Sequence, residues 1–353
     1  MDYRAIIKYA GAFMAWVIGS GFATGQEVLR FFSSYGYWSY VILAVDLIGF
    51  LIVGKTLMLI GFKHRLDENF QHFKYYCGTI IGSIYLWTMP FVWFIMMAVL
   101  FSAAGATLFE YFGLYTYLGS AMMASAVLGA YLIGFDRFVK IVSKISPIVV
   151  IFCFIVGFIS ITDKSMQDMN LTVMLEDYQV SPFWFMSALA YLSLDFLTGS
   201  AYYSNLGAVA KNEQAIKWGA ILGSIILLIV ITTMNTAVLL NIQNAAVLSV
   251  PTLYLAKNIS YILAGAFSIV LLLGMFSSCA ATMWSICSNF FVVGSKKNKI
   301  ASTFVVLVAY VISLFPFGEL VGLLFPFIGY YGFIYIICVI YKGISMQFFM
   351  DKR

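Results

Sequence analysis

From residue 4 to residue 341 the chain alternates long apolar stretches with short polar breaks. Each stretch is near the ~20 residues that cross a ~30 Å hydrocarbon core. Ten spans are read in this way, at about 4–33, 36–62, 78–111, 115–134, 137–162, 181–207, 215–241, 259–293, 300–316 and 318–341. The polar breaks are "FKHRLDENFQHFKYY", "GFDRFVK", "TDKSMQDMNLTVMLEDYQVSP", "AKNEQAIK", "NIQNAAVLSVPTLYLAKN" and "GSKKNK". No low-complexity tract interrupts them, so residues 1–353 read as a single transmembrane domain. The pattern predicts an all-α polytopic membrane protein of about ten transmembrane helices. Within the break after span 7, "VLSVPTLYLAKNIS" predicts a short amphipathic helix lying over the outer face. The N-terminal "MDYRAIIKYAGAFMAW" runs straight into a span with no small-residue cleavage pattern, so no cleavable signal peptide is expected.

Five spans is an odd number, so the two halves, repeat one at about 4–162 and repeat two at about 181–341, have opposite topology. Paired glycine-interrupted segments at matching places in such halves point to a transport site. Span 1 contains "VIGSGFATGQEVLRFF", with Gly19, Gly21 and Gly25 near its middle, followed by Gln26, Glu27 and Arg30. Span 6 reads "SPFWFMSALAYLSLDFLTGSAYYSNLGAVA" and holds Tyr191, Ser193, Asp195, Thr198, Gly199 and Ser200 within ten residues. Glycine lowers helix propensity by about 1 kcal/mol. In lipid, released backbone groups are tolerated only where they line a cavity or meet a ligand. A broken helix offers amides to an anion and carbonyls to an ammonium group or sodium. Gly-x-Gly spacing also fits close helix packing, and Asp195 alone also fits a structural hydrogen bond. It is the matching positions that favour a site.

Of the 353 residues 63% are hydrophobic and only 10% charged, with mean hydropathy +0.96. The net charge of +5 is explained by its placement. With the N-terminus inside, sixteen of the 20 basic residues fall on the inner side and only Arg30, Lys164 and Lys257 on the outer; Lys55 is left within span 2. Basic residues accumulate in cytoplasmic loops. Both termini are therefore expected in the cytoplasm of a bacterial plasma membrane, and no nucleic-acid partner is needed. The five cysteines are scattered, and His64 and His72 share one polar loop, so neither a metal cluster nor a catalytic triad is expected. There is no Walker A sequence, which makes ATP-driven transport by this chain unexpected, and no enzyme is read from it.

Two further charges sit at membrane depth. Asp46 is mid-span and needs a polar neighbour from another span; Lys55, nine residues on, falls on roughly the opposite face and is expected to snorkel inward. Glu27 and Arg30, at i and i+3, are expected as a local ion pair or an outer gate facing the vestibule. Phe22 is singled out as a lid.

"GSGFATGQEVLRFF" resembles the first-helix motif of the amino-acid permease family in the amino acid–polyamine–organocation superfamily, and "AYLSLDFLTG" more loosely resembles its sixth helix. The resemblance covers essentially the whole chain in span count and topology. It implies the five-plus-five inverted-repeat leucine-transporter fold with broken helices 1 and 6. It also implies a secondary active transporter, a cation-coupled symporter, for an amino acid or related small amino compound. The implied substrate site is Gly19, Ser20, Gly21, Phe22 and Ala23, with Tyr191, Ser193 and Asp195 opposite. Family members often carry an amide near Asp195, so its carboxylate points towards a cationic or proton-linked cargo. A sodium ion would lie, by analogy, between the carbonyls of Ala15 and Ile18 and the hydroxyls of Ser277 and Ser278, with Thr282 close by. Lys144 is the proton-linked alternative, together with Asp195. Otherwise no cofactor is expected. A membrane sensor of the same fold, binding a small amino compound without concentrative transport, is the competing reading.

Overall fold

The computed structural model describes residues 2–18, 20–65, 71–133, 145–162, 175–290, 292 and 295–350. Among them the helices occupy the ten expected places. Span 1 is made of α1 (Tyr3–Val17), α2 (Ser20–Ala23) and α3 (Gln26–Phe31). Span 2 is α4 (Trp38–Gly49), a π-helical turn (Phe50–Gly54) and α5 (Lys55–His64). Spans 3 to 5 are α6 (Gln71–Phe112), α7 (Thr116–Ile133) and α8 (Ile145–Thr162). Span 6 is α9 (Trp184–Thr198) and α10 (Ser200–Ala208), and span 7 is α11 (Glu213–Leu240). The outer connection forms α12 (Ile242–Ala245) and α13 (Pro251–Ile259), of which α13 falls in the stretch whose amphipathic pattern predicts a helix. Spans 8 to 10 are α14 (Tyr261–Phe290), α15 (Lys296–Ile312), and α16 (Phe317–Tyr331) with α17 (Phe333–Met350).

Six stretches are long and apolar enough to cross a bilayer unaided: Trp38–His64, His72–Phe112, Thr116–Ile133, Glu213–Leu240, Tyr261–Trp284 and Phe317–Ser345. Spans 1 and 6 fall short because each is interrupted, span 5 because its described apolar helix is only Pro147–Thr162, and span 9 because its helix has 17 residues. Span 3 carries about two extra turns at its start, set off from the rest by Gly78 at φ +76°.

Spans 1, 2, 6 and 7 form one bundle: α1 lies along α11, α5 along α10, and α4 along α9. Spans 3, 4, 8 and 9 form a second group through α6, α7, α14 and α15. Span 5 packs on spans 1 and 7, and span 10 packs on spans 6 and 2. Exchanging 1 with 6, 2 with 7 and 5 with 10 maps one set of contacts onto the other, as an inverted repeat requires.

At the inner end of the bundle spans 2 and 6 touch backbone to backbone. A side chain at Gly61 would collide with the carbonyl of Ser204, and one at Gly207 with that of Met58. Small residues of this kind let helices approach closely where lipid supplies no hydrophobic drive. Arg65 closes the end of α5 by donating to the carbonyls of Ala208 and Ala210.

Candidate substrate and coupling site

Helix 1 breaks where its glycines predict. Ile18 leaves helical geometry with ψ 57°, α2 is a single turn, and Gly25 adopts the left-handed φ of +86° before α3 begins. That conformation costs a residue with a Cβ roughly 1–2 kcal/mol. A Cβ there would also press against the Thr252 methyl and the Pro251 ring. The outer part of span 1 is thus two short pieces rather than one half-helix.

Several main-chain groups freed by the break are already used. The Thr24 hydroxyl donates to the Gly21 carbonyl at 2.6 Å. From α13, the Thr252 hydroxyl donates to the Ala23 carbonyl at 2.6 Å and its amide to the Thr24 carbonyl at 3.2 Å. The Gln26 side-chain amide donates to the Leu248 carbonyl at 2.8 Å. On its other side the same connection holds span 3, where the Val250 amide donates to Glu110 Oε1 at 3.0 Å and Lys257 to the Glu110 carbonyl. The outer connection is therefore stitched to both helix groups.

Helix 6 is interrupted later than its polar residues suggest. It coils without a break through Tyr191, Ser193 and Asp195, and yields only at Gly199, with φ −87° and ψ 0°. The Thr198 hydroxyl bonds back to the carbonyls of Leu194 (2.7 Å) and Asp195 (3.3 Å), a pattern that bends helices. Gly199 faces Trp16: a Cβ there would lie 2.5 Å from the indole Nε1. Trp16 in turn stacks on Tyr202 at 5.2 Å, and the Tyr202 hydroxyl donates to the Ala12 carbonyl at 2.8 Å. The two interruptions thus meet across Trp16, a residue that the sequence reading did not single out.

The other expected residues separate into those brought together and those sent elsewhere. Phe22 and Ala23 are buried, at 1% and 0% exposure. Glu27 does not face an outer vestibule and does not pair with Arg30. It is buried and folds its carboxyl back against Gly21, while Arg30 runs along Gly318 and Gly322 of α16 beneath the Tyr178 ring, 5.5 Å away. Among the described residues the ion pair seen is Lys63–Glu213 at 3.6 Å. Tyr191 is enclosed by Phe31, Phe32 and Phe50, with ring centroids at 5.3, 4.8 and 6.3 Å. Its hydroxyl lies near the Asp195 carboxyl without meeting hydrogen-bond geometry. Asp46 is fully buried, and no described residue donates to either of its oxygens.

For the cation site, α14 packs against α2, which brings the half-buried Ser277 and Ser278 helix to the broken segment; the Thr282 hydroxyl bonds to the Ser278 carbonyl at 2.8 Å. Gly19 and Lys144 lie outside the described residues.

No protein-family model matches the chain, so kinship with the amino-acid permeases rests on the first-helix motif. The chain is 24% identical over 333 residues to the uncharacterized membrane protein YkvI of Bacillus subtilis, covering 92% of each. It is 20% identical over 340 residues to the uncharacterized protein YyaD of the same organism, covering 96% of this chain and 97% of the other. Among solved structures it is similar to Mhp1 in its inward-facing conformation, with TM-score 0.60 and 13% identity over 94% of this chain and 75% of Mhp1. It is also similar to a mutant manganese transporter of Eremococcus coleocola, with TM-score 0.56 and 13% identity over 92% of this chain and 76% of that one. The chain is a multi-pass membrane protein with the leucine-transporter-like fold of these transporters.

Proposed function

We propose that the protein is a secondary active transporter that moves an amino acid or related small amino compound by alternating access, driven by a cation gradient. The observation that carries this reading is the meeting of two helix interruptions, in symmetry-related spans 1 and 6, across Trp16 and Gly199. Both lie in a bundle that packs against a separate helix group, the arrangement in which one body rocks against the other. In this reading the first-helix motif, Gly19, Ser20, Gly21, Phe22 and Ala23, takes the carboxylate of the cargo. Asp195, with Tyr191 one turn away on the same face, offers carboxyl and hydroxyl oxygens to an amine, while Ser193 faces Gly332 of span 10. The first-helix motif supports an amino-acid cargo. A sodium site formed by the Ala15 and Ile18 carbonyls with Ser277 and Ser278 is one way of coupling, supported by the contact of α14 with α2. The distribution of lysine and arginine supports a plasma-membrane location with both termini cytoplasmic.

The test starts from a thermal-shift screen of the purified protein against amino acids and amines, each with and without sodium, because a ligand of the folded state raises apparent stability. Solutes that shift the protein are then offered to proteoliposomes under imposed sodium and proton gradients. Gradient-driven accumulation is the expected result. Saturable binding of the same solutes with no flux under either gradient overturns transport in favour of the sensor.

A further inference from the structure

Span 2 brings an unexpected acid to this region. Asp46 shares a helix face with Gly49, one turn on, and Gly49 is in contact with Leu192 of α9. Leu192 shares a face with Asp195, three residues further. Because α4 packs on α9 and α5 on α10, the two helices run in the same direction. Asp46 and Asp195 therefore line one seam between spans 2 and 6, roughly two helical turns apart and within electrostatic range of each other. Tyr191 lies one turn outward of Asp195 on the same face. Its hydroxyl is fully buried, has no hydrogen-bond partner among the described residues, and is within electrostatic range of Asp195, Glu27 and Asp46.

Three carboxyls are thus shut away at 7% (Glu27), 0% (Asp46) and 8% (Asp195) exposure, around one unpartnered phenol. The facing elements add no compensating cation. From α10 comes Tyr203, within range of Asp195. From α11 comes Asn235, which is neutral and bonded to Ser33 and Ser39. From α16 comes Phe325, against Gly21, while Glu319 lies near Arg30. Among the described residues no lysine, arginine or histidine forms an ion pair with any of the three acids. Like charges without water or a counter-ion repel each other and lose their hydration, and protonation removes both costs. A metal ion would need oxygens that converge on one point. Two turns of separation prevent that for Asp46 and Asp195, and no three metal-ligating side chains converge among the described residues.

We propose that Glu27, Asp46 and Asp195, grouped round the Tyr191 hydroxyl, are a proton-binding site that couples the proton gradient to transport. The only covalent change is at carboxyl oxygen: an O–H bond formed with a proton from water on one side of the membrane is broken to water on the other after the bundle rearranges. The coupling role rests on the transporter reading; the binding of protons does not.

The first test is difference infrared spectroscopy of the full chain in lipid at neutral pH. The expected result is a protonated-carboxyl C=O band that shifts in heavy water and loses a component in each of D46N and D195N, variants of nearly unchanged shape. No such band in the wild-type protein, or an identical band in both variants, overturns the proposal. The second test is uptake of a transported amino solute driven by a pH gradient, which should be lost in D46N. Uptake that needs sodium, ignores the pH gradient and survives D46N overturns the coupling role while the transporter reading stands. The expected band without transport of any solute overturns that role and the transporter reading together, and leaves proton binding.

Discussion

At the level of single residues, Gly25 and Gly11 make a paired test of how span 1 is built. Gly25 has a left-handed backbone and meets the Thr252 methyl, whereas Gly11 is helical with nothing within 4 Å of where a Cβ would stand. Gly25→Ala is therefore expected to cost at least about 1–2 kcal/mol and to lower the thermal midpoint in detergent. Gly11→Ala is expected to be neutral or to stabilise by up to about 1 kcal/mol. Equal effects of the two changes would mean that the Gly25 turn is not a feature of the folded state. The same scale shows where reading single residues from sequence succeeds and where it fails. Gly19–Gly25 marks the break in span 1 because glycine spacing is a local signal. Glu27 and Arg30 are i and i+3 partners on paper, yet Arg30 is drawn into the glycine-lined surface of α16 and Glu27 towards Gly21, contacts made by distant or refolded backbone that no spacing rule contains.

Among the elements, the 3-10 turn after α3 (Ser33–Tyr35) and the start of α4 are fastened to span 7 by one amide. The Ser33 hydroxyl donates to Asn235 Oδ1 at 2.8 Å, and Asn235 Nδ2 donates to the Ser39 hydroxyl at 2.9 Å, all three residues being fully buried. Asn235→Ala leaves two buried hydroxyls without that partner and is expected to cost about 1–3 kcal/mol, read as a lower thermal midpoint; a loss below about 0.5 kcal/mol would show the network to be dispensable. The α13 contact makes a second element-level prediction. Thr252→Val removes the bond to the Ala23 carbonyl with little change of shape, and should speed hydrogen exchange of amides across Ala23–Leu29 relative to those of α11. Unchanged exchange there would mean that α13 does not restrain span 1. Both ends of this contact are visible in the sequence as elements, a glycine-rich break and an amphipathic outer helix, but their meeting is not. The helix 6 interruption falls at the inner edge of the polar stretch Tyr191–Ser200 for a related reason. Tyr191, Ser193 and Asp195 look like the lining of an opened helix, whereas in a continuous helix Tyr191 and Asp195 share the seam with span 2, Ser193 turns away to Gly332 in span 10, and the opening falls to Thr198 and Gly199. The π-helical turn at Phe50–Gly54 carried no sequence signal that periodicity could detect.

For the whole molecule, span count and inverted layout were legible because ten apolar stretches and their basic flanks are long-range regularities, insensitive to any one contact. The same flanks predict that reporters fused to either terminus report the cytoplasm; a periplasmic signal from one end alone would require an odd number of spans. What could not be read is how the bundle divides into moving and fixed parts, since that depends on which backbones touch. Gly61 against Ser204 and Gly207 against Met58 leave no side chain between the inner ends of spans 2 and 6. Sliding one past the other would drive carbonyl oxygens into Cα atoms, so these ends must travel as a single rod. Any bend then has to fall further out along the rod, at the wide π turn on one helix and at Gly199 on the other. A covalent tether across the inner ends should accordingly leave turnover intact, whereas one between α2 and α13 should stop it.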